Sequence, residues 1–218
     1  MDIFDPASAA LVAGGTLAAT MLRCGVAELR ITLRAVGGLV RRRFDPATIR
    51  QRLAAQISDI DADGLIRARA RSVGDGEFDR ATDALIRSRS VDALFAEHAR
   101  LGRNRTGDAA TAEQVLGHAA ELSPVLGLAG TLLSLGSLSG ALAGGSTYAD
   151  AIAGAITTTL YGLVLANFFF APLAAAITRR AAREAEERQS VVEWLARAVR
   201  KGGSHGVPGP KVEADVAA

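Results

Sequence analysis

The sequence predicts an all-α integral membrane protein, with three transmembrane helices and a helical cytoplasmic region. Three observations carry that prediction. Hydrophobic residues make up 49% of the 218 residues while aromatics make up only 5%, so alanine, leucine and glycine supply the apolarity, a mix that suits closely packed membrane helices. Residues 122–149 and 151–178 contain no charged side chain and are separated only by Asp150; each exceeds the roughly 20 residues a membrane helix needs. Finally, the net charge of +2 hides a strong segregation, with arginines clustered at the ends of the apolar stretches.

The first span is read at residues 6–22, which hold 17 uncharged positions, at the lower edge of what can cross a bilayer. Its flanks support the assignment. Asp2 and Asp5 precede it, whereas Arg23, Arg30, Arg34 and Arg41-Arg42-Arg43 follow. Acidic residues also stand where a cleavable signal would carry basic ones. The two long spans form a hairpin that turns near Gly144-Gly145-Ser146. Residues 144–150 carry no Lys or Arg, while Arg179, Arg180, Arg183 and Arg188 follow the last span. By the positive-inside rule the N-terminus lies outside and the C-terminus in the cytoplasm.

The expected organisation is therefore a first transmembrane helix at 1–22, a cytoplasmic helical region at 23–121, a transmembrane hairpin at 122–178, a cytoplasmic helix extension at 179–201 and a disordered tail at 202–218. Within the cytoplasmic region, Asp45-Pro46 is an N-cap followed by proline at the first helical position, opening a helix over 46–57. Phe78, Ala81, Leu85 and Ile86 mark a helix over 77–87, and Leu94 and Phe95 one over 91–101. The composition of 102–108 reads as a loop, and a helix over 111–121 leads into the second span. Val191, Trp194, Leu195 and Ala198 form a narrow apolar stripe on the extension.

Several chemistries are set aside. Cys24 is the single cysteine, and His98, His118 and His205 are scattered, so no cluster has metal-ligand spacing. The run Asp59, Asp61, Asp63, Gly64 begins like a calcium loop, but Ala70 stands where a bidentate Glu is required; a polar loop is the better reading. No phosphate-binding glycine loop and no nucleophile–base pair is present. No enzyme activity and no cofactor is expected.

The residues inside the hairpin bear on function. Neither long span contains Asp, Glu, Lys, Arg or His, although membrane proteins that move ions usually place an ionisable group in the bilayer; if this chain conducts, a partner supplies the titrating group. Hydroxyls and small residues take its place: Thr131, Ser134, Ser137 and Ser139 in the second span, and Thr157, Thr158 and Thr159 in the third. Gly154, Thr158 and Gly162 lie four apart on one face, a small-xxx-small pattern. These hydroxyls can serve packing by bonding their own helix carbonyls, or they can line a path. Pro124 reads as a helix start, and Pro172, with uncharged helix continuing beyond it, as a kink.

Taken together, residues 123–131 (SPVLGLAGT) are similar to the Ala-Pro-x-x-Gly-x-x-Gly-Thr signature that opens a span in the MotA/TolQ/ExbB proton channel family. Residues 158–167 (TTLYGLVLAN), closing with Phe170-Ala171-Pro172, resemble the last span of MotA, and residues 5–8 (DPAS) with 14–20 (GGTLAAT) resemble its second span. MotA has four spans; the count of three is similar to TolQ and ExbB. The resemblance implies the larger subunit of a proton-driven stator channel in the bacterial inner membrane. That subunit forms a homopentamer around single-span partners of the MotB/TolR/ExbD kind, whose membrane aspartate carries the ion. It implies pore-lining roles for Thr131, Thr158 and Thr159, places Pro124 and Pro172 at the channel mouth, and leaves Gly127, Gly130, Gly154 and Gly162 to helix packing. Arg87, Arg89 and Glu97 are exposed charged candidates for force transmission, which read more simply as a solvated helix face. The alternative function is a non-conducting oligomeric membrane scaffold built on the same small-residue faces.

Overall fold

The computed structural model describes residues 5–41, 44–63, 72–136 and 148–203. These form α1 (Pro6–Val40), α2 (Pro46–Asp63), α3 (Gly76–Ser88), α4 (Val91–Gly136), α5 (Tyr148–Val164), a π-helical turn (Leu165–Phe170) and α6 (Ala171–Gly203), and no strand occurs among the described residues. Three helical stretches are long and apolar enough to cross a membrane: Pro6–Val40, Val91–Gly136 and Ala151–Lys201. The all-α membrane class is therefore the observed one. The expected turn at 144–146, Ser137, Ser139 and the tail beyond 203 lie outside the described residues.

The chain divides into two compact units. The first holds residues 5–41, 105–136 and 148–182, and contains the membrane-length apolar segments. Asp5 starts α1 by accepting hydrogen bonds from the amides of Ala7 at 3.0 Å and Ser8 at 3.3 Å, with Pro6 at the first helical position, where its missing N–H costs nothing. The helix does not stop at Leu22 as the charge pattern suggests. It breaks at Gly25, whose φ of 84° and ψ of 165° are non-helical, and resumes to Val40. That backbone region is essentially reserved for glycine. Beyond the break, Ala35, Val36 and Leu39 pack against a buried cluster of Ala112 and Leu116 of α4 and Ala174 and Ile177 of α6. Arg180 ties the end of α1 down by donating to the carbonyls of Leu39 at 2.9 Å and Arg41 at 3.2 Å.

The second unit holds residues 44–63, 72–104 and 183–203. Asp45 caps α2 through the Ala47 amide at 3.0 Å, and Asp75 caps α3 through the amides of Glu77 and Phe78. Arg89 ends α3 in the left-handed region with φ 51°. The core gathers Leu53 of α2, Val73, Phe78 and Leu85 of α3 and its approach, Leu94 of α4, and Val191, Val192, Leu195 and Val199 of α6. The apolar stripe of the last helix is thus broader than periodicity alone predicts, with Val192, Ala196 and Val199 buried and Trp194 only partly so.

Two loop expectations are overturned. Residues 102–108 are helical within the 46 continuous residues of α4. Gly102 and Gly107 each cost about 1 kcal/mol of helix propensity, but Leu101 on one side and Ala112 and Val115 on the other are buried, and their packing holds the intervening turns. The backbone of residues 59–63 is helical as the end of α2 instead of forming a polar loop, while Gly64 and Ala70 lie outside the described residues.

Candidate functional site in the membrane hairpin

The hairpin helices α4 and α5 meet through glycine. A Cβ added at Gly162 would stand 2.5 Å from the Ser123 carbonyl, and one at Gly127 would stand 2.9 Å from the Thr158 carbonyl. Both are approaches to backbone that no side chain could occupy, the interface chemistry small residues allow in a bilayer. At Gly130 an added Cβ would strike the Thr158 side chain at 2.8 Å. Gly154 sits more loosely, with Ser134 Oγ 3.4 Å from the point where a Cβ would stand. Gly127, Gly130 and Gly162 are therefore brought together around Thr158, and Gly154 lies further along the same contact.

The threonines separate by environment. Thr158 is 1% exposed, fills the space left by Gly130, and donates its hydroxyl to the Ala155 carbonyl at 3.0 Å. Thr131 is half-buried and donates to the Leu128 carbonyl at 2.5 Å. Thr159 is half-buried, and its hydroxyl makes no hydrogen bond among the described residues. Because Gly130 faces Thr158 across an antiparallel pair, Thr131 and Thr159 lie on opposite sides of that contact, about 3 Å apart along the hairpin axis.

Pro124 lies inside α4 and not at its start. Its neighbour Ser123 is fully buried, donates to the Ala119 carbonyl at 2.8 Å and lies 3.4 Å from Thr16 Oγ1 of α1. Pro172 follows the π-helical turn, in which the Ala171 amide donates to the Ala166 carbonyl five residues back. A wider turn is one way to carry a helix past a residue with no N–H and a ring that crowds the carbonyl four residues earlier.

Sequence reasoning missed the anchoring of the hairpin to α1. The Asp5 amide donates to Tyr161 Oη at 3.1 Å, and the buried Thr16 meets Ser123. The four-residue spacing of Ser8, Val12, Thr16 and Thr20, all buried, was the available signal: it marks one small-residue face on the first span. Outward, Leu132, Ile156 and Phe168 are exposed, along with other large apolar residues on all three spans, which is the surface lipid or further membrane helices cover.

Three membrane-length helices, locked by glycine contacts and buried hydroxyls, with no Asp, Glu, Lys, Arg or His at residues 122–136 or 151–178, define a polytopic helical membrane protein whose hairpin spans carry no charged side chain of their own. The model of the MotA/TolQ/ExbB proton channel family matches residues 65–190, and the chain belongs to that family. The structure of MotAB from C. jejuni is similar at a TM-score of 0.79 and 16% identity, covering 92% of this chain and 79% of that one. The flagellar MotAB stator complex from Bacillus subtilis is similar at a TM-score of 0.76 and 16% identity, covering 90% and 79%. No curated protein matches the chain.

Proposed function

We propose that this chain is the larger, stator-type subunit of an ion-driven channel that couples proton flow to mechanical work. It lies in the bacterial inner membrane with its N-terminus outside and its C-terminus in the cytoplasm. Several copies, five by analogy with the family, surround a one-span partner of the MotB/TolR/ExbD kind. The partner brings the membrane aspartate that this chain lacks. The observation that carries the reading is the pairing of spans without charged side chains with the Thr159 hydroxyl, which makes no hydrogen bond among the described residues, while Thr157 and Thr158 spend theirs on their own helix.

In this reading Thr131 and Thr159 line the path about 3 Å apart along the hairpin axis, and Thr158 holds the hairpin closed behind them. Pro124 and Pro172 shape its mouth. A hydroxyl beside a partner carboxylate solvates the proton in transit where lipid would not. Replacing Thr159 by valine keeps the shape and removes the hydroxyl. Loss of a hydrogen bond worth about 1 kcal/mol or somewhat more should cut proton flux several-fold to about tenfold. Thr159→Val, co-expressed with the partner and assayed by a pH-sensitive dye, is expected to assemble normally and conduct less; unchanged flux would remove Thr159 from the path.

A further inference from the structure

We propose that a second copy of this chain docks head-to-tail on the groove between α4 and α6, inserting the outer face of the second half of α1. The proposal rests on the oligomeric channel reading above and assigns it a contact. Val26, Arg30, Leu33, Arg34, Gly37 and Val40 fall on one helical face, spaced four, seven, eight, eleven and fourteen residues from the first. Leu33 is 63% and Val40 91% exposed. The opposite side of the same helix is committed, since Ala35, Val36 and Leu39 pack on α4 and α6. Isolated surface leucines need no explanation, but a periodic apolar row flanked by arginines is the signature of a helix that seats against something.

The complementary surface lies on the same unit. A groove of about 570 Å³ is lined by Glu113, Gln114, Gly117 and Glu121 of α4 and by Ala171 and Ala175 of α6, among others, and no lining residue comes from α1. Its floor is alanine and glycine, which admits a close helix. Glu113 has no ion-pair partner among the described residues, and neither do Arg30 and Arg34. Glu121 lies 3.6 Å from Arg23 and from His118. Glu121 is thus met within its own chain, which leaves Glu113 as the groove carboxylate open to Arg30 or Arg34, about 6 Å apart along their helix. An anionic membrane surface would accept the arginines but would leave the unpaired Glu113 of the groove unexplained; a second copy accounts for both. Because the two faces differ, the contact is heterologous, and repeating it closes a ring when its rotation permits.

The test uses the full chain with Cys24→Ser, carrying Leu33→Cys and Gly117→Cys singly or together. A Cβ at Gly117 meets nothing within 4 Å, so the site accepts the change. Mild oxidation in membranes is expected to give a covalent ladder from the double variant, none from either single variant, and dimers only when the two single variants are co-expressed. In parallel, Arg30→Glu with Arg34→Glu should weaken assembly at least roughly tenfold, measured by native mass in detergent, and adding Glu113→Arg should recover it. A chain that oligomerises by native mass yet gives no ladder overturns this interface and leaves the oligomeric reading standing. An unsubstituted chain that is monomeric overturns both. Arginine variants that keep their mass but lose co-purifying phosphatidylglycerol assign the face to lipid headgroups and overturn the proposal.

Discussion

Arg188 shows how a single residue can organise a unit. Its guanidinium donates to both Asp75 oxygens, at 3.0 and 2.8 Å, and to Glu184 at 2.9 Å. Glu77 lies at 3.4 Å, and the Phe44 ring stacks with its centroid 4.4 Å away. Burial by itself would raise the Asp75 carboxyl, but the Arg188 guanidinium and the Glu77 and Phe78 amides outweigh it and hold the group below its ordinary value. A depressed carboxylate contributes stability that is fully present above its unfolded value near 4. That contribution is lost as the pH falls through the folded value. The amides of α3 should therefore keep constant protection from hydrogen exchange between pH 8 and 5 as far as Asp75 is concerned, and lose it below about pH 4. Asp75→Asn should flatten that acid dependence. Arg188→Met leaves three carboxylates facing one another and should destabilise the unit by about 3–5 kcal/mol, read as a lowered thermal midpoint of the solubilised chain. The sequence presents Arg188 merely as one more arginine after the last span. Its role depends on Asp75, 113 positions away, and local pattern carries no trace of so distant a partner.

At the scale of elements, helix class and the three apolar segments were legible because each rests on short-range chemistry: charge-free length, capping by Asp45, and 3.6-residue spacing of Phe78, Ala81 and Leu85. The continuity of α4 through Gly102 and Gly107 was not, because propensity reads glycine locally while the packing of Leu101 and Ala112 decides the outcome. The glycine contacts of the hairpin lie between these cases. The spacing of Gly154, Thr158 and Gly162 identifies a face, but which member is tightest depends on α4. Gly162→Ala should be poorly tolerated, since its methyl would meet backbone at 2.5 Å, with an overpacking cost of about 1–3 kcal/mol or more. Gly154→Ala should be nearly neutral. Thermal inactivation of the two variants in one detergent compares them directly, and equal losses would contradict the packing described. Gly25→Ala meets no steric neighbour, yet forces a φ of 84° on alanine; a loss of about 1–3 kcal/mol is expected from backbone strain alone.

For the whole molecule, the resemblance carried by residues 123–131 and 158–167 and the family match over 65–190 point to the same membrane machinery. The buried hydroxyl contacts explain how an uncharged hairpin holds together. The proposed path was only partly written in the sequence. The residue types name hydroxyls, but the separation of Thr158, enclosed against Gly130, from Thr159, with its hydroxyl unspent, arises only when α4 and α5 are packed. The central claim is that this chain contributes the wall of a conduction path and a partner contributes its charge. Proton flux into vesicles reconstituted with the chain alone, with the chain and its one-span partner, and with a partner whose membrane aspartate is replaced by asparagine tests that claim most directly. Flux confined to the intact pair is the predicted result; vesicles holding the chain alone that leak protons as fast as the pair would contradict it.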